Sequence, residues 1–301
     1  MKGWSQNKQI VEMNKTTPNV KPESGYKFGY SQSTTSSHAS RTIYTDAAFV
    51  IPYIKPHHRI LDVGSGPGTI TIGFAVLADE AKGGCVIGVD TGEEVVSSAT
   101  QLARERGFPD EVMKFQRGNV LEGLPFPDES FDVVFTSQTL IHLAPAPKAP
   151  VDALKEIRRV LKPDGLLAAR DAASIKYHPF CDELQRKLTD RMFAVVGTSE
   201  PCGMHMPEYL RAAGWDLDND IASGKVIVGG GTTVLAGGEN ARWWLGTMGG
   251  RFKKGDPFRE SWLRYGFTDE ECDEAKTLLE KWAESENPWY GVLQSEVLAW
   301  K

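Results

Sequence analysis

The chain has 301 residues, 25% of them charged and 41% hydrophobic, with a formal net charge of −6 and a pI of about 5.6. That balance is globular and supports a sizeable core; it argues against a nucleic-acid binder, which carries a basic stripe, and against a protein held on anionic lipid. Cys85, Cys181, Cys202 and Cys272 form no C-x-x-C pair, which speaks against a zinc site or a dense disulfide framework.

Residues 1–24 are polar and read as a disordered tail, with no apolar run of a signal peptide. The segment from Tyr26 to Ser40 is rich in Ser and Thr and carries Tyr26, Phe28 and Tyr30. HASRTIYTDAAFVIPYI (38–54) has helical spacing at Ala39, Ile43, Ala47 and Val50, and Pro52 ends it. Short apolar runs then alternate with helical stretches. Strands are expected at 60–63, 85–90, 114–120, 131–138 and 165–172, and helices at 69–77, 93–106 and 151–161. Lys162-Pro163-Asp164-Gly165 stops the last helix. Helices follow at 206–216, 239–252 and 268–285, with strands at 225–228 and 291–301 and a flexible break at Gly229-Gly230-Gly231. The expected fold is α/β: a Rossmann-like, mostly parallel seven-stranded sheet with helices on both faces and a helical cap. Residues 25–301 read as one domain, with a lid at 25–58, a binding core at 59–175 and a cap at 176–301.

The most informative stretch is Asp62-Val63-Gly64-Ser65-Gly66-Pro67-Gly68-Thr69, which follows a buried strand and opens a helix. Such a turn lets a ligand approach the backbone and the free N–H groups of the helix start. The dinucleotide fingerprint is G-x-G-x-x-G; here the third glycine comes one residue early and Thr69 takes its place. Asp62 would repel a pyrophosphate but suits a ligand with an amine or a sulfonium, and S-adenosylmethionine (SAM) carries both. Asp90, beside Thr91, ends the second strand where an acid takes ribose hydroxyls. Gly118-Asn119-Val120 ends the third, where an amide oxygen can accept from adenine. Ser137 and Gln138 end the fourth, beside the methionine moiety.

With these motifs in place the sequence resembles the class I SAM-dependent methyltransferases, and more closely the ubiquinone/menaquinone-biosynthesis type and its relatives in secondary metabolism. The resemblance rests on ILDVGSGPGT, GVD, RGNV, LPFPDESFDVVFTSQTLIHL and EIRRVLKPDGLLAARD, and extends to SSHASRTIYTDAAFVIPYIKP and ENPWYGVLQSEVLAWK. It implies methyl transfer from SAM, with S-adenosylhomocysteine as product, to a small organic acceptor such as a secondary metabolite or quinone-like ring. Two positions depart from the pattern: Asn119 stands where many relatives carry Asp, and Ile141-His142 where some carry paired histidines.

In-line displacement needs alignment more than a catalytic group. His142, after the fourth strand, is the candidate base, and Asp171, after the fifth, is a second candidate, with capping or a salt bridge to Arg170 as its structural alternative. On the N-terminal segment, Tyr30, His38 and Arg41 are expected over the cofactor, Arg41 facing its carboxylate. Trp243, Trp244 and Tyr290 offer an aromatic wall for the acceptor. No metal is expected. The partners expected are a small-molecule acceptor and at most a second copy in a homodimer, with neither nucleic acid nor membrane, in the cytoplasm. Three rivals follow from the same residues: a SAM-binding enzyme of rearrangement or cyclisation, a SAM-binding regulator, and an NAD oxidoreductase, which Gly68-Thr69 and Asp62 disfavour.

Overall fold

Short β-branched runs form a parallel sheet when helices cover both of its faces. A computed structural model describes residues 26–301; the tail expected over 1–24 lies outside the described residues. Strands β1 (Arg59–Val63), β2 (Cys85–Asp90), β3 (Met113–Arg117), β4 (Phe131–Ser137) and β5 (Leu161–His178) pair in parallel. With β6 (Val226–Ala236) and β7 (Trp289–Trp300) they form one seven-stranded sheet, in the order β3-β2-β1-β4-β5-β7-β6. β7 runs antiparallel to both β5 and β6, so the sheet is mixed. Strand order reverses between β1 and β4, which opens a crevice at the carboxyl ends of the strands.

Alternate residues feed two cores. Ile60, Val86, Val133 and Phe135 face one, and Leu61, Ile87, Val134 and Leu167 face the other. In chain order the helices are α1 (Gln32–Ala39), α2 (Ile43–Asp46), α3 (Thr69–Ala75), α4 (Glu93–Glu105), α5 (Lys148–Val160), α6 (Cys181–Leu184), α7 (Asp190–Val196), α8 (Met206–Ala212), α9 (Leu217–Ser223), α10 (Gly238–Met248), α11 (Pro257–Tyr265) and α12 (Asp269–Ala283). α3 and α4 pack on the first core, α5 and the later helices on the second.

Two expectations need correction. The single helix over 38–54 is broken, because Thr42 caps a new one: its hydroxyl accepts from the Thr45 N–H while the Thr45 hydroxyl takes the Thr42 N–H. The Ser/Thr-rich stretch before it is itself helical, with Ser31 as the N-cap of α1. Gly229-Gly230-Gly231 is not a break but lies inside β6, opposite Glu296, Ser295 and Gln294; a side chain at Gly231 would collide with the Glu296 carboxylate. Helices at 181–184, 190–196, 217–223 and 257–265 add to the expected set.

Arg170 on β5 ties these parts together. It is 1% exposed and holds Asp46 of α2 at 2.9 Å, Glu296 of β7 at 3.1 Å and the Thr233 hydroxyl of β6 at 3.2 Å. Removing one partner of such a buried set leaves an uncompensated charge. Arg170→Met is therefore expected to cost about 3–5 kcal/mol of unfolding free energy, read from denaturant titration; a loss below about 1 kcal/mol, the scale of an exposed pair, would contradict this role.

Candidate active site

β1 ends in a loop whose glycines carry positive φ: +77° at Gly64, +52° at Gly66 and +81° at Gly68. A methyl group on Gly64 would strike the Thr139 side chain, so the β1 and β4 ends close up only around glycine. At Gly66 the position of a Cβ has no protein atom within 4 Å, so this stretch of backbone faces open space. The Gly64 and Ser65 N–H groups donate to the Val89 carbonyl at 2.8 and 3.0 Å, fixing the loop to β2.

Above the loop lies a cavity of about 660 Å³, within the range of small-molecule sites. Every residue expected at the cofactor lines it: Tyr30, His38, Arg41, Asp62, Gly64, Ser65, Gly66, Thr69, Asp90, Thr91, Gly118, Asn119, Val120, Ser137 and Gln138. Asp90 is anchored on three sides. Its Oδ1 accepts the Tyr30 hydroxyl at 2.6 Å and the Gly92 N–H at 3.1 Å, and its Oδ2 accepts the Gly66 N–H at 2.9 Å. Asp62 is buried and accepts one bond, from the Thr71 hydroxyl at 2.6 Å. Burial pushes its carboxyl up to about 7, with the nearby Asp90 charge adding to the rise and the Thr71 bond opposing it. Asn119 closes a turn, taking the Leu121 N–H at 3.0 Å and donating to Glu122 at 2.8 Å. Gln138 sits at φ +55°, a strained backbone for a residue with a side chain. Its amide donates to Gln294 at 2.5 Å.

Part of the cavity wall is cationic and aromatic. Arg41, His38, Tyr26 and His142 line it. The His142 ring stands edge-on to Tyr26 at 4.7 Å and to Phe28 at 5.5 Å. Burial, then the charges of Arg41 and Arg251, lower its pKa to about 3. The same causes hold His38 well below its ordinary value. Both imidazoles are therefore neutral at physiological pH, and His142 is a much weaker base than an imidazole that titrates near 7.

Four expected residues do not line the cavity. Asp171 is fully buried, with one oxygen accepting the Ile141 N–H at 3.4 Å and the other without a partner. It caps the short turn Leu140–His142, and burial raises its carboxyl to about 7. The salt bridge to Arg170 is not made, since Arg170 is taken by Asp46 and Glu296. Trp244 stacks on Tyr290 at 4.7 Å and donates to the Tyr177 hydroxyl at 3.2 Å, so both rings belong to a core cluster. Trp243, one position along α10 and turned about 100° away, is 39% exposed. The aromatic ring that lines the cavity beside Tyr30 is Tyr26, with Leu143 and Gly197 also in the wall.

The residues fit a SAM-type ligand. Ser65 and Ser137 present buried hydroxyls without partners in the cavity wall, and such groups are normally satisfied. The cavity also carries two acids, Asp62 and Asp90, whose chemistry suits an amine and a ribose. This is the site of a nucleotide-cofactor enzyme on an open α/β sheet. A family model described as a methyltransferase domain matches residues 54–219. Over 284 residues the chain is 40% identical to the probable methyltransferase ltbC of Aspergillus luteorubrus, covering 92% of this chain and 97% of that one. It is 32% identical to an uncharacterized methyltransferase of Schizosaccharomyces pombe, covering 72% and 76%. A putative methyltransferase from Bacillus halodurans shares the fold, with a TM-score of 0.53, 17% identity and coverage of 85% and 98%. The chain belongs to the methyltransferase domain family, and it is a SAM-dependent methyltransferase.

A ligand ammonium beside Asp62 favours the ionised carboxylate, which the ligand-free protein holds only above about pH 7. S-adenosylhomocysteine affinity should therefore level off above that pH. Below it, each unit of acidification weakens binding by up to about tenfold. Calorimetry from pH 5 to 8 checks this, and Asp62→Asn should flatten the slope; an unchanged slope in that variant would refute the assignment.

Proposed function

We propose that the acceptor of this methyltransferase is a small organic molecule, of the secondary-metabolite or quinone-like class that the resemblance implies, and that it enters at the Tyr26–His142 end. The carrying observation is the lining of the cavity, which brings the carboxylates Asp62 and Asp90 of the strand ends together with Arg41, His38, His142 and Tyr26. In this reading Asp62 pairs with the amino group of the cofactor and Arg41 with its carboxylate. Asp90 takes the ribose hydroxyls as Tyr30 yields its bond, and Gly118, Asn119 and Val120 flank the base. Ser137 and Gln138 border the methionine chain.

Bound there, SAM supplies an electrophilic methyl group that leaves its sulfur by in-line displacement. His142, neutral and close to Tyr26, can accept a hydrogen bond from a protonated nucleophile and so orient it. Asp171 acts one step back, holding the turn that carries His142. Residues 25–301 form a single domain in this reading, with 25–58 over the cofactor. A cytoplasmic location is supported by the free state of Cys85, Cys181, Cys202 and Cys272. Among the described residues no helix is long and apolar enough to cross a membrane.

The test is incubation with SAM bearing an isotope-labelled methyl group and a panel of phenolic, quinol and carboxylic small molecules, read by mass spectrometry. The expected result is labelled product with matching S-adenosylhomocysteine. Asp90→Ala should lower kcat/KM for SAM by about 10–100-fold, the loss of a charged hydrogen-bond partner. An acceptor rearranged while SAM stays unconsumed would overturn the reading in favour of a non-methylating enzyme.

A further inference from the structure

A polar side chain on a cavity wall either bonds to the protein or is left for a ligand or water. Most of those on this wall are engaged. Tyr30 holds Asp90, Asp62 takes the Thr71 hydroxyl, Asn119 donates to Glu122, Gln138 donates to Gln294, Thr139 donates to the Val63 carbonyl, and Lys27 donates to the Val195 and Val196 carbonyls. Tyr26, His38 and His142 differ. All three line the cavity, and among the described residues none of them forms a side-chain hydrogen bond. None of their polar atoms is sealed from open space, so they are open to the cavity.

The three come from separate segments, each held by buried neighbours. Tyr26 precedes α1 in a stretch pinned by Phe28, which is 2% exposed and packs on Phe258 at 4.7 Å. His38 lies in the last turn of α1, beside the buried Ser37. His142 ends the short turn whose Ile141 N–H goes to buried Asp171. Ile141 is itself part of the core, so the second imidazole comes from α1 and not from the turn. Both imidazoles meet the same ring: His142 stands edge-on to Tyr26 at 4.7 Å, and His38 edge-on at 6.0 Å.

The chemistry of the set follows. Both imidazoles are neutral at physiological pH, so each offers one N–H and one bare nitrogen. A bare nitrogen accepts only from an O–H or N–H of the ligand. Because both imidazoles pack against one ring, donors that reach both must lie close together on the ligand. The Tyr26 hydroxyl can donate or accept, and its ring offers a flat apolar surface. In the proposed placement the cofactor takes Asp62, Asp90, Arg41 and the hydroxyls of Ser65 and Ser137, which leaves Tyr26, His38 and His142 for the acceptor; the inference rests on that placement.

We infer that Tyr26, His38 and His142 recognise the acceptor, and that the acceptor is a ring with hydroxyl groups on neighbouring carbons, the catechol class, with one hydroxyl donating to each imidazole. His38 is then a specificity-determining residue for the acceptor and not a cofactor contact. A ring with one hydroxyl satisfies one imidazole and leaves the other unpaired, which costs affinity. A ring with none leaves both unpaired.

The experiment measures binding of three rings of like size to protein saturated with S-adenosylhomocysteine, by calorimetry or ligand-observed NMR. The probes are catechol, 2-methylphenol and 1,2-dimethylbenzene, in which methyl groups replace the hydroxyls one at a time. Each replacement should weaken binding to the wild type by about tenfold, the cost of leaving one polar partner unpaired. His38→Phe should bring catechol down to the affinity of 2-methylphenol while S-adenosylhomocysteine affinity stays within about twofold. His38→Gln, which keeps a donor and an acceptor, should retain part of the preference, as a packing role for His38 would not require. Catechol binding no tighter than 1,2-dimethylbenzene in the wild type, or a preference unchanged in both His38→Phe and His142→Phe, overturns the inference and leaves the cofactor placement intact. A large loss of S-adenosylhomocysteine affinity in His38→Phe returns His38 to the cofactor and overturns it as well. If the variants do not fold, the wild-type series decides alone. Failure of S-adenosylhomocysteine to bind the wild type removes the cofactor placement and this inference with it.

Discussion

The site depends on how one buried charge is neutralised. Arg170 lies in the middle of the sheet, where an isolated guanidinium would be very costly. It is tolerated because its counter-ions come from parts of the chain far apart in sequence: Asp46 just before the sheet and Glu296 in the last strand. The same contacts that satisfy the charge bring α2 down onto the sheet and hold β7 and β6 along β5. Arg41 is five residues before Asp46, and Tyr26, Tyr30 and His38 precede it. The N-terminal wall of the cavity is thus placed by an ion-pair network that does not itself touch the cavity.

With that wall in position, the cavity carries charges of both signs. The strand ends supply Asp62 and Asp90, and the N-terminal segment supplies Arg41. Each end is only partly solvated, so each perturbs its neighbours in the direction that burial dictates: Asp62 upward, His38 and His142 downward. In the proposed placement, a zwitterionic ligand meets both signs of charge. This is electrostatic preorganisation, in which fixed protein charges stand where ligand charges will be. It suits displacement chemistry, which asks for alignment and exclusion of water more than for proton transfer.

Most of the strand-end half of the site was legible in the sequence. Strand length and the glycine spacing are local properties, and Asp62, Asp90 and Asn119 sit at fixed offsets from them, so their convergence follows from parallel topology alone. The cap was less legible because its contacts are tertiary. Trp243 and Trp244 read as a ligand wall, but their neighbour Tyr290 arrives from β7 and turns Trp244 into core packing. Asp171 read as catalytic because it follows a strand, yet it is fully buried, holds the Ile141 N–H and does not line the cavity. Arg251 carried no sequence signal, since its partners Ser37 and Phe258 meet it only in the folded chain. The glycines of β6 looked like a break because pattern alone does not show that the Glu296 side chain fills the space they leave.

The most direct test of the central claim, that this cavity is built for SAM, is calorimetric titration of the purified protein with S-adenosylhomocysteine, with NAD as control. The fit of acids, glycines and unpaired hydroxyls predicts micromolar binding of S-adenosylhomocysteine at one site per chain and no binding of NAD. Absence of S-adenosylhomocysteine binding, or equal binding of the two ligands, would contradict the assignment of Asp62, Gly66 and Asp90 to this cofactor.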